Sequence, residues 1–210
     1  MKITSWKNNL IRLSKKEMNK PGFFIIRFSL EICFVFICII SLVSCKMNND
    51  PLQEKESGFI LSSPEIGSDS LLPVGYTCDG QSSTLPLEWS GFPSQTVCFA
   101  LIMHHEASPA DIHWYWILYN IPYNINSLPE NVLNIGIIGN NSVNGRTEYA
   151  PPCSRGPGRK DYIFTVYALS EMVKINMAPE EVNREILLNA IKNITLSSAK
   201  MTVWYSRNMK

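Results

Sequence analysis

The chain has 210 residues with 19 Lys and Arg against 18 Asp and Glu, but seven of the bases and only two of the acids lie in positions 1–44. The remainder carries 12 basic against 16 acidic residues, a balance of about −4, which makes no electrostatic case for nucleic acid, a partner that favours a strongly basic face. About 165 residues suffice for one domain with a real core.

Positions 1–44 read as a lipoprotein signal peptide. Lys2, Lys7, Arg12, Lys15, Lys16, Lys20 and Arg27 precede an apolar run from Ile32 to Val43. That run has the length of a signal core and falls short of the roughly 20 residues that a permanent membrane helix needs. It ends in Leu42, Val43, Ser44 and Cys45, which resembles the bacterial lipobox, so Cys45 is the expected lipid anchor. The basic segment is long, and translation from Met18 instead of Met1 would give it more ordinary proportions. A competing reading is an uncleaved anchor helix from about Phe23, tolerating Arg27 and Glu31. Both readings export the domain and anchor it on the non-cytoplasmic side of the cell membrane or outer membrane.

Residues 45–57 are polar, with Asn48, Asn49, Asp50 and Pro51, and suit a flexible tether. The folded domain is expected over 58–210. Apolar, β-branched and aromatic runs alternate there with Gly, Pro, Ser and Asn clusters, and six of them read as strands. They are Phe59–Leu61, Leu85–Trp89, Val97–Met103, His113–Ile121, Tyr162–Leu169 and Ala199–Tyr205. Most are separated without a helical crossover, so a mostly antiparallel β-sandwich is expected rather than a doubly wound sheet. The stretch from Tyr123 to Ala150 reads as one long irregular loop. A single amphipathic helix is expected from Pro179, with Val182, Ile186, Ala190, Ile191 and Ile194 recurring at helical spacing.

Three cysteines remain in the domain. Cys98 lies in an apolar run and reads as a small buried hydrophobe. Cys78 and Cys153 lie in Gly/Pro-rich, loop-like sequence, so in an exported protein they are the pair expected to form a disulfide.

The three histidines, His104, His105 and His113, fall within ten residues. On a strand, His104 and Glu106 share one face and His105 takes the other. If the strands on either side of Ala107–Ile112 pair, His104, Glu106 and His113 are expected to converge at one end of the sheet. Further on, Pro151, Pro152, Gly156, Pro157 and Gly158 shape a loop in which Arg155, Arg159 and Lys160 offer donors to an anion.

Several segments together resemble the phosphatidylethanolamine-binding protein family, in particular its bacterial Raf-kinase-inhibitor-like branch. The resemblance runs from Phe59 to Arg207. Tyr76, Thr77, Cys78, Asp79 and Gly80, followed by Leu85 to Trp89, are similar to that branch's Y-T-C-D-G and P-P-L-x-W. His113 and Trp114, then Asn120, Ile121 and Pro122, resemble its H-W and N-I-P. Pro152 and Cys153, with Tyr162 ten positions after Pro152 and the strand from Tyr162 to Leu169, resemble G-P-C-P-P-x-G-x-x-H-x-Y and F-T-V-Y-A-L. The resemblance implies a β-sandwich with a small anion pocket at one end. His113, Tyr149, Pro152 and Tyr162 match pocket positions. Where the family has D-P-D-A-P, this chain has His104, His105, Glu106, Ala107 and Ser108; Lys160 replaces a histidine, and Ser154 and Arg155 replace two prolines.

The expected function is therefore a non-catalytic binding or regulatory lipoprotein. Its ligand would be a small anion, whether phosphate, carboxylate or phospholipid head group, held by His104, Glu106, His113, Tyr149, Pro152, Lys160 and Tyr162. No cofactor, metal or nucleic acid is expected, and a protein target in the envelope or outside the cell is compatible. Two alternatives stand beside this reading: a degenerate family member acting through surface contacts alone, and a metal-dependent hydrolase using His104, Glu106 and His113.

Overall fold

The computed structural model describes residues 58–154 and 157–207. The signal segment, Cys45, the tether and Arg155 lie outside the described residues.

Two sheets face each other. The smaller has three strands in the order β1 (Ile60–Ser62), β2 (Leu87–Ser90) and β5 (Ser127–Leu128). The larger has five in the order β6 (Ile137–Ile138), β4 (Asp111–Pro122), β3 (Cys98–Ser108), β7 (Arg159–Leu169) and β8 (Thr195–Ser206). All the pairings between these strands are antiparallel. Each of the six expected strands is present. The stretch from Tyr123 to Ala150 is not wholly irregular, because it contributes β5 and β6; strands of two residues carry no readable periodicity.

Alternation along the large sheet sorts its side chains into two layers. Phe99, Leu101, Met103, Trp116, Leu118, Tyr162, Phe164, Val166 and Val203 point between the sheets and meet Leu61, Leu87, Trp89 and Leu128. Phe99 lies at the aromatic centre, with ring centroids 5.3 Å from Trp89 and 4.8 Å from Phe92, both edge-on. Each such fully buried aliphatic or aromatic side chain contributes about 1.5–3 kcal/mol. The opposite face of the large sheet carries Cys98, Ala100, Ile102, Ile117, Tyr119 and Leu169, covered by Val173, Val182, Leu187 and Ile191.

The covering helix is shorter than the periodicity predicts. Pro179–Glu181 forms a separate 3-10 turn, in which the Glu181 carboxylate accepts from the Ala178 N–H. Asn183 then caps a new start, its side chain accepting from the Ile186 N–H at 2.9 Å, and helix α1 runs from Arg184 to Ile191. The cap explains the break: an Asn side chain that takes an orphan N–H favours beginning a helix where it stands.

Two irregularities in the β3–β4 pair shape everything downstream. Asn120, at φ +55°, sits where the register shifts between Phe99 and Leu101. Its amide accepts from the Val173 N–H at 2.8 Å and donates to the Val173 carbonyl at 3.1 Å, binding β4 to the segment that roofs the helix side. The second shift falls between the Met103–Trp116 and His104–Trp114 pairs, leaving Tyr115 as an extra residue on β4. A bulge of this kind re-aims the side chains beyond it.

Candidate functional site

At the end of the large sheet where β3 turns into β4, the bulge at Tyr115 decides which groups meet. The hairpin is tighter than predicted, with Ser108 paired to Asp111 around Pro109 and Ala110. Strict alternation would put His113 and Tyr115 on one face with Ile117. The inserted residue breaks that phase: Tyr115 packs with the inter-sheet core and Trp114 with the helix side. His113 consequently stands opposite His105 across the strands, while His104 stands opposite Trp114.

The expected convergence of His104, Glu106 and His113 therefore does not occur. His104, 5 % exposed, lies on the helix-side face with Nε2 3.0 Å from Glu106 Oε1. Burial lowers its pKa, and the nearby Arg184 and Lys200 act in the same direction while Glu106 opposes them. His113 is half exposed and held by Asp111, Nε2 to Oδ1 at 3.1 Å. Among the described residues no group of three or more His, Cys, Asp or Glu side chains could hold a metal ion.

On the inter-sheet face the same end gathers a different set. Tyr162 is fully buried in β7, its ring 5.3 Å from Tyr115 and 5.8 Å from His105, centroid to centroid. Its buried hydroxyl is paired loosely with that of Tyr115, and the Tyr115 and Tyr205 phenols also act on it electrostatically. Burial first, then those neighbouring phenols, push the Tyr162 pKa far upward. The same combination of burial and a neighbouring phenol raises Tyr149, and burial raises Tyr115, so these hydroxyls are held neutral as donors. Lys160 falls on the same face of β7, two residues before Tyr162 and paired with Tyr205 of β8. It forms no ion pair among the described residues. Arg159 takes the other face, engaged with Asp161 at 2.9 Å and over the Trp204 ring at 5.0 Å.

Loops fix this end. Asn141, buried, donates to the carbonyls of Arg146 and Glu148 and accepts from the N–H groups of Val143 and Asn144, which folds an otherwise polar stretch into a defined turn. That turn delivers Tyr149, whose ring lies edge-on 5.7 Å from Trp116 and whose hydroxyl donates to the Tyr76 carbonyl at 3.0 Å. Cys78 and Cys153 form a disulfide with Cα atoms 5.3 Å apart, and the Cys78 N–H donates to the Pro152 carbonyl at 3.0 Å. Asp79 accepts from the Tyr205 hydroxyl at 3.0 Å and pairs with Arg207 at 2.7 Å. At Gly80 a Cβ would run into the Val74 carbonyl, which accounts for glycine after Asp79. With Thr77, whose hydroxyl donates to the Val74 carbonyl at 2.9 Å, each residue from Tyr76 to Gly80 has a structural task. A separate polar hollow of about 360 Å³ on the small sheet, lined by Ser62, Glu88, Trp89, Ser90, Asn126 and Ser127, contains none of the predicted site residues.

Of the predicted set, Lys160 shares a strand face with Tyr162, Tyr149 interacts electrostatically with Tyr162, Pro152 is hydrogen-bonded to Cys78, His113 stands opposite His105, and His104 and Glu106 meet each other on the other face. Sequence reasoning missed Tyr115, His105 and Tyr205. Alternation already assigned His105 to the face opposite His104, whereas Tyr115 reaches Tyr162 only through the bulge.

Residues 62–206 match the family model described as phosphatidylethanolamine-binding protein. The chain belongs to the phosphatidylethanolamine-binding protein family. Relatives include a UPF0098 protein of Methanothermobacter thermautotrophicus, 31% identical over 140 residues, covering 65% of this chain and 91% of that protein. One from Chlamydia muridarum is 31% identical over 144 residues, with the same shares covered. Among solved structures, a phosphatidylethanolamine-binding protein homologue of Chlamydia trachomatis superposes with a TM-score of 0.65 at 24% identity, covering 72% of this chain and 99% of that one. E. coli YbcL, described as a member of the mammalian family, gives 0.63 at 23%, covering 71% and 99%. At these identities the two structures speak for the fold alone.

Proposed function

We propose that the end of the sandwich around Tyr162 binds a small anion, without catalysis, in a protein exported and held at a membrane by lipid on Cys45. The observation that carries the binding reading is Lys160, an ammonium without an ion pair among the described residues, on the strand face that also carries the buried, neutral and only loosely paired Tyr162 hydroxyl. A buried hydroxyl whose pairing is poor bears part of the roughly 1–3 kcal/mol that an unmade bond costs, and a ligand that supplies a better partner recovers it. An ammonium attracts phosphate or carboxylate as a point charge, and neutral phenols donate to its oxygens without adding a competing negative charge. Phosphate, a carboxylate and a phospholipid head group share this oxyanion chemistry.

Titration calorimetry of the purified full-length protein in detergent, with inorganic phosphate, acetate and phosphoethanolamine, tests the reading. Binding of at least one of them that weakens about tenfold or more in Lys160→Ala supports it; no binding of any, or full affinity in Lys160→Ala, refutes it. Incorporation of labelled palmitate that disappears in Cys45→Ser tests the anchor separately. A lipid-anchored domain outside the cytoplasm would not meet cytoplasmic kinases, so a regulatory role would fall on a protein of the envelope or the exterior.

A further inference from the structure

His105 adds an imidazole acceptor to the phenols and the ammonium of this end. Its Nδ1 lies 2.8 Å from the Asp161 carbonyl oxygen, a group that only accepts. The hydrogen therefore sits on Nδ1, and in the neutral ring Nε2 is a bare acceptor. The other polar groups of this end are phenols, which donate and accept weakly, and the Lys160 ammonium, which only donates. Tyr149 donates to the Tyr76 carbonyl and Tyr205 to Asp79, and Tyr115 and Tyr162 pair with each other, which leaves one phenol hydrogen and the Lys160 ammonium as donors to a ligand. The His105 ring rests against Tyr162, and His113 opposite is tied to Asp111. A simple oxyanion, which has acceptors only, would satisfy the ammonium and the phenols but would set a lone pair against Nε2.

We infer that His105 is a specificity residue that selects oxyanions carrying their own hydrogen-bond donor, with an α-hydroxy-carboxylate as the simplest case. The inference rests on the anion-binding reading above. The carboxylate of such a ligand is held by Lys160 and Tyr162, and its hydroxyl donates to His105 Nε2. Same-face positions along a strand are about 7 Å apart and neighbouring strands about 4.8 Å apart, so the donor groups of β7 and the acceptor on β3 are within the span of a two- or three-carbon ligand with its hydrogen bonds. His105 then acts by matching a hydrogen bond and not by charge.

Acetate and glycolate provide the test, because they carry the same charge and differ by one hydroxyl. Calorimetry of the full-length protein at pH 8, above the ordinary imidazole range, is expected to show glycolate bound roughly two- to tenfold more tightly than acetate, the worth of one net hydrogen bond. In His105→Phe, which keeps a ring against Tyr162, the preference is expected to vanish, with glycolate losing affinity relative to acetate. In His105→Gln, which restores an acceptor, part of the preference is expected to return. Equal binding of the two ligands, or a preference that survives in His105→Phe, overturns the inference and leaves the anion site standing. Binding of neither ligand to the unmodified protein overturns both. Melting curves of the two variants within a few degrees of the parent confirm that the comparison is made on folded protein.

Discussion

His104 and His105 share a peptide bond, yet the first is sealed on the helix-side face with its Nε2 on Glu106, and the second lies partly open against Tyr162 between the sheets. The difference comes from the strand itself, since successive side chains take opposite faces. It is extended by the neighbouring strand, where the extra residue Tyr115 throws His113 to the side of His105. One face uses a histidine as part of the packing. The other presents histidine, phenols and an ammonium at the end of the sandwich, within loops tied down by a disulfide. The pair shows that chemical type and nearness in sequence do not make a site; the phase of the strand does.

Removing the disulfide should separate the two regions most strongly. Cys78 and Cys153 are 75 positions apart, and a cross-link closing a loop of that size is worth about 4 kcal/mol in the chain-entropy account. A Cys78→Ser, Cys153→Ser double variant is expected to lose stability of that order in denaturant titrations. Near 25 °C, where it still folds, it should lose anion affinity, because the loops carrying Pro152 and Asp79 are no longer joined. Retained affinity would mean that the loops are fixed by their hydrogen bonds alone.

Protonation should probe the other face. The folded-state pKa of His104 is lowered, chiefly by burial, so below the unfolded value of about 6.5 the unfolded chain takes up a proton that the folded chain resists. Stability is then complete above that value and falls as pH drops from it toward the folded pKa. His104→Gln is expected to flatten this part of the stability-against-pH curve, measured by urea titration between pH 5 and pH 8 on the approximate scale of ordinary imidazole ionisation. An unchanged slope would place the proton uptake elsewhere.

The smallest effect on stability is expected at Tyr162. Tyr162→Phe removes a buried hydroxyl that is only loosely paired with Tyr115 while keeping its ring contacts with Tyr115 and His105. Stability should change by no more than about 1 kcal/mol, while anion affinity falls. A larger loss of stability would show that the bond to Tyr115 is a strong one.

Much of the fold was legible because its strands announce themselves: the runs ending in Trp89, Met103, Ile121, Leu169 and Tyr205 are rich in the residues that fill a pleated core. The helix was legible as a face and not as a boundary, since Val182 supports the apolar pattern while standing before the Asn183 cap. β5 and β6 were not legible, because two residues fix no period. At the site, the strand that carries Tyr162 and the pairing of Cys78 with Cys153 could be read from the sequence. Tyr115 could not, because a bulge is set by how two strands pair and leaves no mark in either strand alone.

The most direct measurement is an NMR titration of the isotope-labelled full-length protein with acetate, following the side-chain resonances of His104, His105 and Lys160 together. The expected result is saturable shifts at His105 and Lys160 with one common affinity, and His104 unmoved. No saturable shift at either residue, or a response at His104 with the other two still, would contradict an anion site between the sheets.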